Sequence, residues 1–209
     1  MTPTPRFPSG LYLIADRKVS EKSPEEIVLP ALKAGIRWVQ YREKEKSRRD
    51  IYGEALRLRQ MTGDFCAVFI VNDHVDIAVA VEADGVHLGQ EDLPLAEARR
   101  VAGEKIIGIS THSLTEAEEA ARGGADYIGF GPVFLTKTKD AGEPKGIEML
   151  RKVRRSVHIP IVAIGGISRD TLRPVLDSGV NAVAVASAIL SGDISGNIEA
   201  FMNVIGGGA

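Results

Sequence analysis

Short apolar runs alternate with longer mixed stretches along the whole chain. The runs occupy residues 11–16, 38–43, 67–72, 85–90, 106–111, 127–132, 160–166 and 182–189, and most of them close on glycine or a polar residue. Segments such as Val68-Phe69-Ile70-Val71 and Ile161-Val162-Ala163-Ile164 are apolar on both parities, the pattern of a strand covered on both faces. The stretches between them carry helix punctuation. Ser23-Pro24-Glu25-Glu26 reads as an N-cap, a proline at the first helical position and acidic residues in the first turn; Thr115-Glu116 and Ser168-Arg169-Asp170 open later helices similarly. Gly35, Gly123 and Gly179 mark helix ends. Pro30 predicts a kink or a break in the first helix, because an interior proline costs about 3 kcal/mol.

Strand and helix alternating eight times is the signature of a closed parallel (β/α)8 TIM barrel, whose active sites form at the C-terminal ends of the strands. The 209 residues suit one domain spanning 1–209, with 1–10 and about 205–209 as loose termini. A hydrophobic fraction of 44% and a net charge of -2 favour neither disorder nor general attraction to nucleic acid or membrane. No apolar run approaches the roughly 20 residues of a membrane span, and residues 1–10 lack a signal-peptide core. The single cysteine, Cys66, makes no internal disulfide; placed where the third strand begins, far from the expected site, it reads as packing. A soluble cytoplasmic protein is expected, with self-association left open.

Candidate chemistry gathers where the runs end. In Gln40-Tyr41-Arg42-Glu43-Lys44 the alternate residues Gln40, Arg42 and Lys44 share one face, which suits a polyanionic ligand. A solvated strand end with salt bridges to Glu43 or Glu45 is the competing reading. Asn72 and Asp73 close the third run and Asp92 follows the fourth, so two carboxylates on neighbouring strands can share one hard cation such as Mg²⁺; helix capping is the alternative for each. Thr136-Lys137-Thr138-Lys139 lies in the longest connection, residues 133–145, a loop placed where lids occur. Its hydroxyls and cations suit phosphate oxygens and equally an ordinary surface loop. Gly165-Gly166 after the seventh strand and Ala184-Val185-Ala186-Ser187 on the eighth predict a phosphate cup of backbone N–H groups. Ser110, Thr111 and His112 end the fifth run without establishing a nucleophile triad, and His87, inside the fourth, reads as a hydrogen-bonded core histidine.

Taken in order, these segments resemble the thiamine phosphate synthase family over residues 12–189. The resemblance rests on Tyr12-Leu13-Ile14-Ala15-Asp16, Gln40-Tyr41-Arg42-Glu43-Lys44, Asn72-Asp73, Ala83-Asp84-Gly85-Val86-His87-Leu88-Gly89-Gln90 with Asp92, and Gly108-Ile109-Ser110-Thr111-His112. Downstream it continues through Gly129-Phe130-Gly131-Pro132, Thr136-Lys137-Thr138-Lys139, Ala163-Ile164-Gly165-Gly166-Ile167 and Ala186-Ser187-Ala188-Ile189. It implies a transferase that joins an aminopyrimidine methyl diphosphate to a thiazole ethyl phosphate, giving thiamine phosphate and diphosphate. Positions matching Gln40, Arg42, Lys44, Asn72, Ser110 and Lys139 would hold the pyrimidine diphosphate, with Arg42, Lys44, Ser110 and Lys139 carrying catalysis. Asp73 and Asp92 would hold Mg²⁺; Thr136, Thr138, Gly166, Ala186 and Ser187 would hold the thiazole phosphate. Tyr41 departs from the leucine usual there, but its parity turns it away from Gln40 and Arg42, so altered packing is expected. Two rivals remain: a thiazole tautomerase of the same superfamily, which needs no diphosphate site, and a non-catalytic phosphate-binding barrel.

Overall fold

The computed structural model describes residues 7–136 and 142–207. Its strands are β1 (Gly10–Asp16), β2 (Trp38–Arg42), β3 (Val68–Asn72), β4 (Gly85–Leu88), β5 (Ile106–Thr111), β6 (Tyr127–Phe130), β7 (Ile161–Ile164) and β8 (Ala182–Val185). They close in chain order into one parallel barrel, β8 pairing with β1. The connections are α1 (Pro24–Lys33), α2 (Arg48–Asp64), α3 (Val75–Ala80), α4 (Leu95–Ala102), α5 (Leu114–Arg122), α6 (Gly146–Ser156) and α7 (Arg169–Leu176), with α8 (Ser187–Leu190) and α9 (Ile194–Gly206) completing the described chain. No helix among the described residues is long and apolar enough to cross a membrane.

Several local expectations need correction. The eighth apolar run is two elements: β8 stops at Val185 and Ser187 opens α8, so Ala186 and Ser187 are not strand residues. Similarly β2 stops at Arg42, and Lys44 lies in the turn beyond it. Cys66 precedes β3, in a turn with φ of 51°. Helix α1 runs unbroken through Pro30. It is held at its start by a reciprocal box in which Ser23 accepts from the Glu26 N–H and Glu26 from the Ser23 N–H. Ser113, not Thr115, caps α5, accepting from the Glu116 N–H. Gly10 is already in β1 and Gly206 still in α9, so structure reaches into both segments expected to be loose.

Strand parity divides the core in two. Outward side chains such as Leu13, Val39, Phe69 and Ile128 pack beneath the helices. Inward ones form a separate cluster that includes Tyr12, Trp38, Ile70, Tyr127 and Val162. Tyr12 and Trp38 meet edge to face at 5.5 Å between ring centroids, and Trp38 and Tyr127 at 5.8 Å. Three large rings fit because the later strands contribute little volume. A Cβ at Gly108 would fall 2.1 Å from the Tyr127 ring, and one at Gly129 would fall 3.2 Å from the His87 ring. This aromatic floor fills the barrel below the C-terminal ends of the strands, where the polar residues gather.

Candidate active site

Arg42 and Asp16 end adjacent strands and are register partners, both on the inward parity. Arg42 Nη1 donates to Asp16 Oδ2 at 2.6 Å, with side-chain exposures of 13% and 12%. Asp16 is itself fixed, its Oδ1 accepting from the Lys18 N–H at 2.9 Å. A guanidinium anchored from behind by one carboxylate keeps donors for a second anion. Sequence reading missed Asp16 as the partner and offered Glu43 or Glu45 instead. Glu43 accepts from the Glu45 N–H, and Glu45 pairs with Lys18.

Lys44, although off the strand, reaches Asp73 with Nζ 2.8 Å from Oδ2. Asp73 adopts a left-handed backbone, φ 64°, and its N–H bonds the His87 carbonyl across to β4. Asp92 accepts from the Gly89 N–H at 2.7 Å. Neither carboxylate caps a helix: the N-cap residues of α3 and α4 are His74 and Pro94. The two instead face one another. Burial and then the hydrogen bond to Asp73 push Asp92 above the usual carboxylate range. Burial pushes Asp73 up too, but Lys44 and Asp92 outweigh it and hold Asp73 low. Two hard oxygen donors competing for one proton beside an ammonium suit a divalent cation. Among the described residues no group of three or more His, Cys, Asp or Glu could hold a metal, so other oxygens would have to complete the shell.

Deeper in the barrel, Gln40 and Ser110 are joined by buried side chains. Gln40 Nε2 donates to the Tyr12 hydroxyl at 3.1 Å, Tyr12 and Tyr127 hydroxyls meet at 2.9 Å, Tyr127 Oη meets His87 Nδ1 at 2.9 Å, and His87 Nε2 meets Ser110 Oγ at 2.9 Å. His87 is thus a hydrogen-bonded core histidine, as its place in the run suggested. Burial pushes its imidazole down to about 4 from 6.5. Above pH 6.5 folded and unfolded chains both carry it neutral; between 6.5 and 4 the unfolded chain takes up the proton first, so stability falls as pH drops. The contribution reaches about 3 kcal/mol at the low end. Urea melts at pH 7 and pH 4.5 should show a smaller acid loss for His87→Gln than for the native chain; equal losses would contradict the assignment. His112, by contrast, bonds the Gly131 carbonyl through Nδ1 at 2.8 Å and makes no pair with Ser110.

On the opposite side of the mouth, Gly165 and Gly166 follow β7 with φ of 96° and 66°. A Cβ at Gly166 would lie 2.4 Å from the Leu135 carbonyl oxygen, and one at Gly165 would lie 2.5 Å from Pro132. The glycines therefore let the β6 loop seat against the β7 loop, with Phe134 N–H donating to the Gly165 carbonyl. That contact fixes the approach to Thr136. The loop's far end returns to its base, Lys145 and Gly146 N–H bonding the Pro132 and Val133 carbonyls. Lys137, Thr138 and Lys139 lie outside the described residues. Ala186 and Ser187 stand beyond β8 level with Gly166, since Ile164 and Ala184 are register partners.

The model of the thiamine monophosphate synthase family matches residues 11–189. The chain belongs to that family. It is 48% identical over 185 residues to a thiamine-phosphate synthase from Chloroflexus aurantiacus, covering 88% of this chain and 86% of the other. It is 45% identical over 183 residues to one from Clostridium acetobutylicum, covering 87% of each. A solved thiamine phosphate pyrophosphorylase from Pyrococcus furiosus superposes with a TM-score of 0.90 at 43% identity, over 97% of this chain and 98% of that one. This member of the thiamine monophosphate synthase family is accordingly an enzyme of the transferase class. Tyr41 is buried on the outward parity, and its hydroxyl donates to Glu54 of α2 at 2.5 Å. Glu54 also pairs with Lys46. That outward placement keeps Tyr41 off the strand face that carries Gln40 and Arg42.

Proposed function

We propose that this enzyme condenses 4-amino-2-methyl-5-(diphosphooxymethyl)pyrimidine with 4-methyl-5-(2-phosphoethyl)thiazole, or its carboxylated form, giving thiamine phosphate and diphosphate with Mg²⁺. The observation that carries this reading is the meeting of Arg42, Lys44, Asp73 and Asp92 at one side of the mouth, two cations interleaved with two carboxylates. A phosphate-only site has no need of that set. Asp73 and Asp92 would hold Mg²⁺, which when bound supplies positive charge against a diphosphate.

In the proposed reaction the bond between the pyrimidine methylene and the diphosphate oxygen breaks, and the oxygen keeps the electron pair. The thiazole nitrogen then supplies a lone pair to the methylene. No side chain forms a covalent bond. Arg42, held by Asp16, and Lys44, held by Asp73, face the charge that grows on the leaving group; Lys139 is assigned the same task. Gln40, Asn72 and Ser110 hold the pyrimidine, while Thr136, Thr138, Gly166, Ala186 and Ser187 hold the thiazole phosphate. Preorganised charge and ring positioning are the large terms in such chemistry.

Incubating the purified chain with both substrates and Mg²⁺, and following diphosphate and thiamine phosphate together, tests the proposal. Equimolar appearance of both, with none from either substrate alone, is expected. Isomerisation of the thiazole phosphate without diphosphate release would favour the tautomerase; binding without turnover would favour the silent barrel.

A further inference from the structure

We infer that the buried chain Gln40–Tyr12–Tyr127–His87–Ser110 is a one-directional hydrogen-bond relay that fixes both ends for the ligand: Ser110 presents its hydroxyl proton, and Gln40 its carbonyl oxygen, to the mouth. The inference rests on the proposed function only for the identity of that ligand. Tyr12, Tyr127 and His87 are positioning residues in it.

The direction follows from counting donors. Gln40 presents Nε2 to Tyr12, so the Tyr12 oxygen accepts there. Both phenols are buried and stay protonated, burial raising each above its ordinary range. Among the described residues the Tyr12 proton then has one acceptor in reach, the Tyr127 oxygen at 2.9 Å. Tyr127 must in turn give its proton to His87 Nδ1. An imidazole accepting at Nδ1 carries its hydrogen on Nε2, which donates to Ser110 Oγ. If His87 donated from Nδ1 instead, whether neutral or as imidazolium, Tyr127 would turn its proton toward Tyr12, and the buried Tyr12 hydroxyl would lose its acceptor.

Two consequences bear on chemistry. Ser110, having accepted from His87, directs its own proton outward, as a ligand oxygen requires. The same tautomer leaves His87 no lone pair for the Ser110 proton, so the pair is not a nucleophile and its base, although serine and histidine stand 2.9 Å apart. Gly129 leaves room for the His87 ring against β6, and Gly108 does the same for the Tyr127 ring on β5.

The tautomer is read directly by two-bond ¹⁵N–¹H correlation spectra of the histidine-labelled native chain, with the His87 signals assigned by their loss in His87→Gln. A protonated Nε2 and a bare Nδ1 are expected. A protonated Nδ1 would overturn the inference, whatever the chain catalyses. The kinetic arm uses Tyr127→Phe, which keeps the ring and removes the central hydroxyl. It should raise the KM for the pyrimidine diphosphate or lower kcat by about tenfold, leaving the KM for the thiazole phosphate unchanged. His87→Gln, whose amide can still donate toward Ser110, should retain more activity than His87→Leu. Equal activity in native, Tyr127→Phe and His87→Leu chains would overturn the positioning role. A bare Nδ1 in a chain that makes no thiamine phosphate would keep the relay and remove the functional reading.

Discussion

Replacing Asp73 with Asn is expected to lower kcat/KM by about three orders of magnitude, roughly 4 kcal/mol of transition-state stabilisation. The change removes one of two charges facing the proposed cation position and also releases Lys44, whose Nζ lies 2.8 Å from Asp73. Losing a single preorganised charged contact typically costs 10²- to 10³-fold, and here a second is disturbed with it. Stability should hardly move, because the Lys44–Asp73 pair is partly exposed, 34% and 15%, and such pairs contribute little. Steady-state kinetics across a Mg²⁺ titration, with thermal melts on the same samples, separates the two effects. Activity within threefold of native at moderate Mg²⁺ would remove Asp73 from the metal assignment.

Gly108→Ala should be among the more damaging single methyl additions to the barrel interior. Its Cβ would lie 2.1 Å from one Tyr127 ring atom and 2.4 Å from another, with the ring already confined by Trp38 and Tyr12. Overpacking a rigid core costs about 1–3 kcal/mol. Moving the Tyr127 hydroxyl off Tyr12 and His87 adds about 1 kcal/mol for each bond lost. A total near 4 kcal/mol corresponds to a drop in Tm of about 10 °C for a chain of this size. Gly53→Ala, inside α2 with space around its Cβ, is the matched control and should stabilise by up to about 1 kcal/mol. Similar melting for the two variants would mean that the barrel interior yields more readily than its packing implies.

The barrel was legible because a strand buried on both faces is written as a short apolar run, and eight such runs separated by capped helices leave little choice of architecture. Legibility failed where two buried elements adjoin. Val185 and Ile189 are equally apolar, and nothing in their spacing says that the strand stops before Ser187. Asp73 and Asp92 stood out because each follows the end of a run, and the mouth collects such positions. Asp16 did not, since its pairing with Arg42 depends on the register of two strands. The inner relay was hidden for the same reason: Tyr12 and Tyr127 lie 115 residues apart and meet only because the barrel closes. The one local trace of it is glycine at the inward positions 108 and 129, too common a residue to be informative without the register.

In the proposed arrangement one side of the mouth holds cation and diphosphate as a unit, with Asp73 and Asp92 on the metal and Arg42 and Lys44 on the anion. Calorimetric titration of inorganic diphosphate into the purified chain, with saturating Mg²⁺ and again in EDTA, tests it most directly. One diphosphate should bind per chain, at least tenfold more tightly with Mg²⁺, and Asp92→Asn should lose most of that difference. Equal affinity with and without the metal, or an Asp92→Asn chain that keeps the full Mg²⁺ effect, would contradict the account.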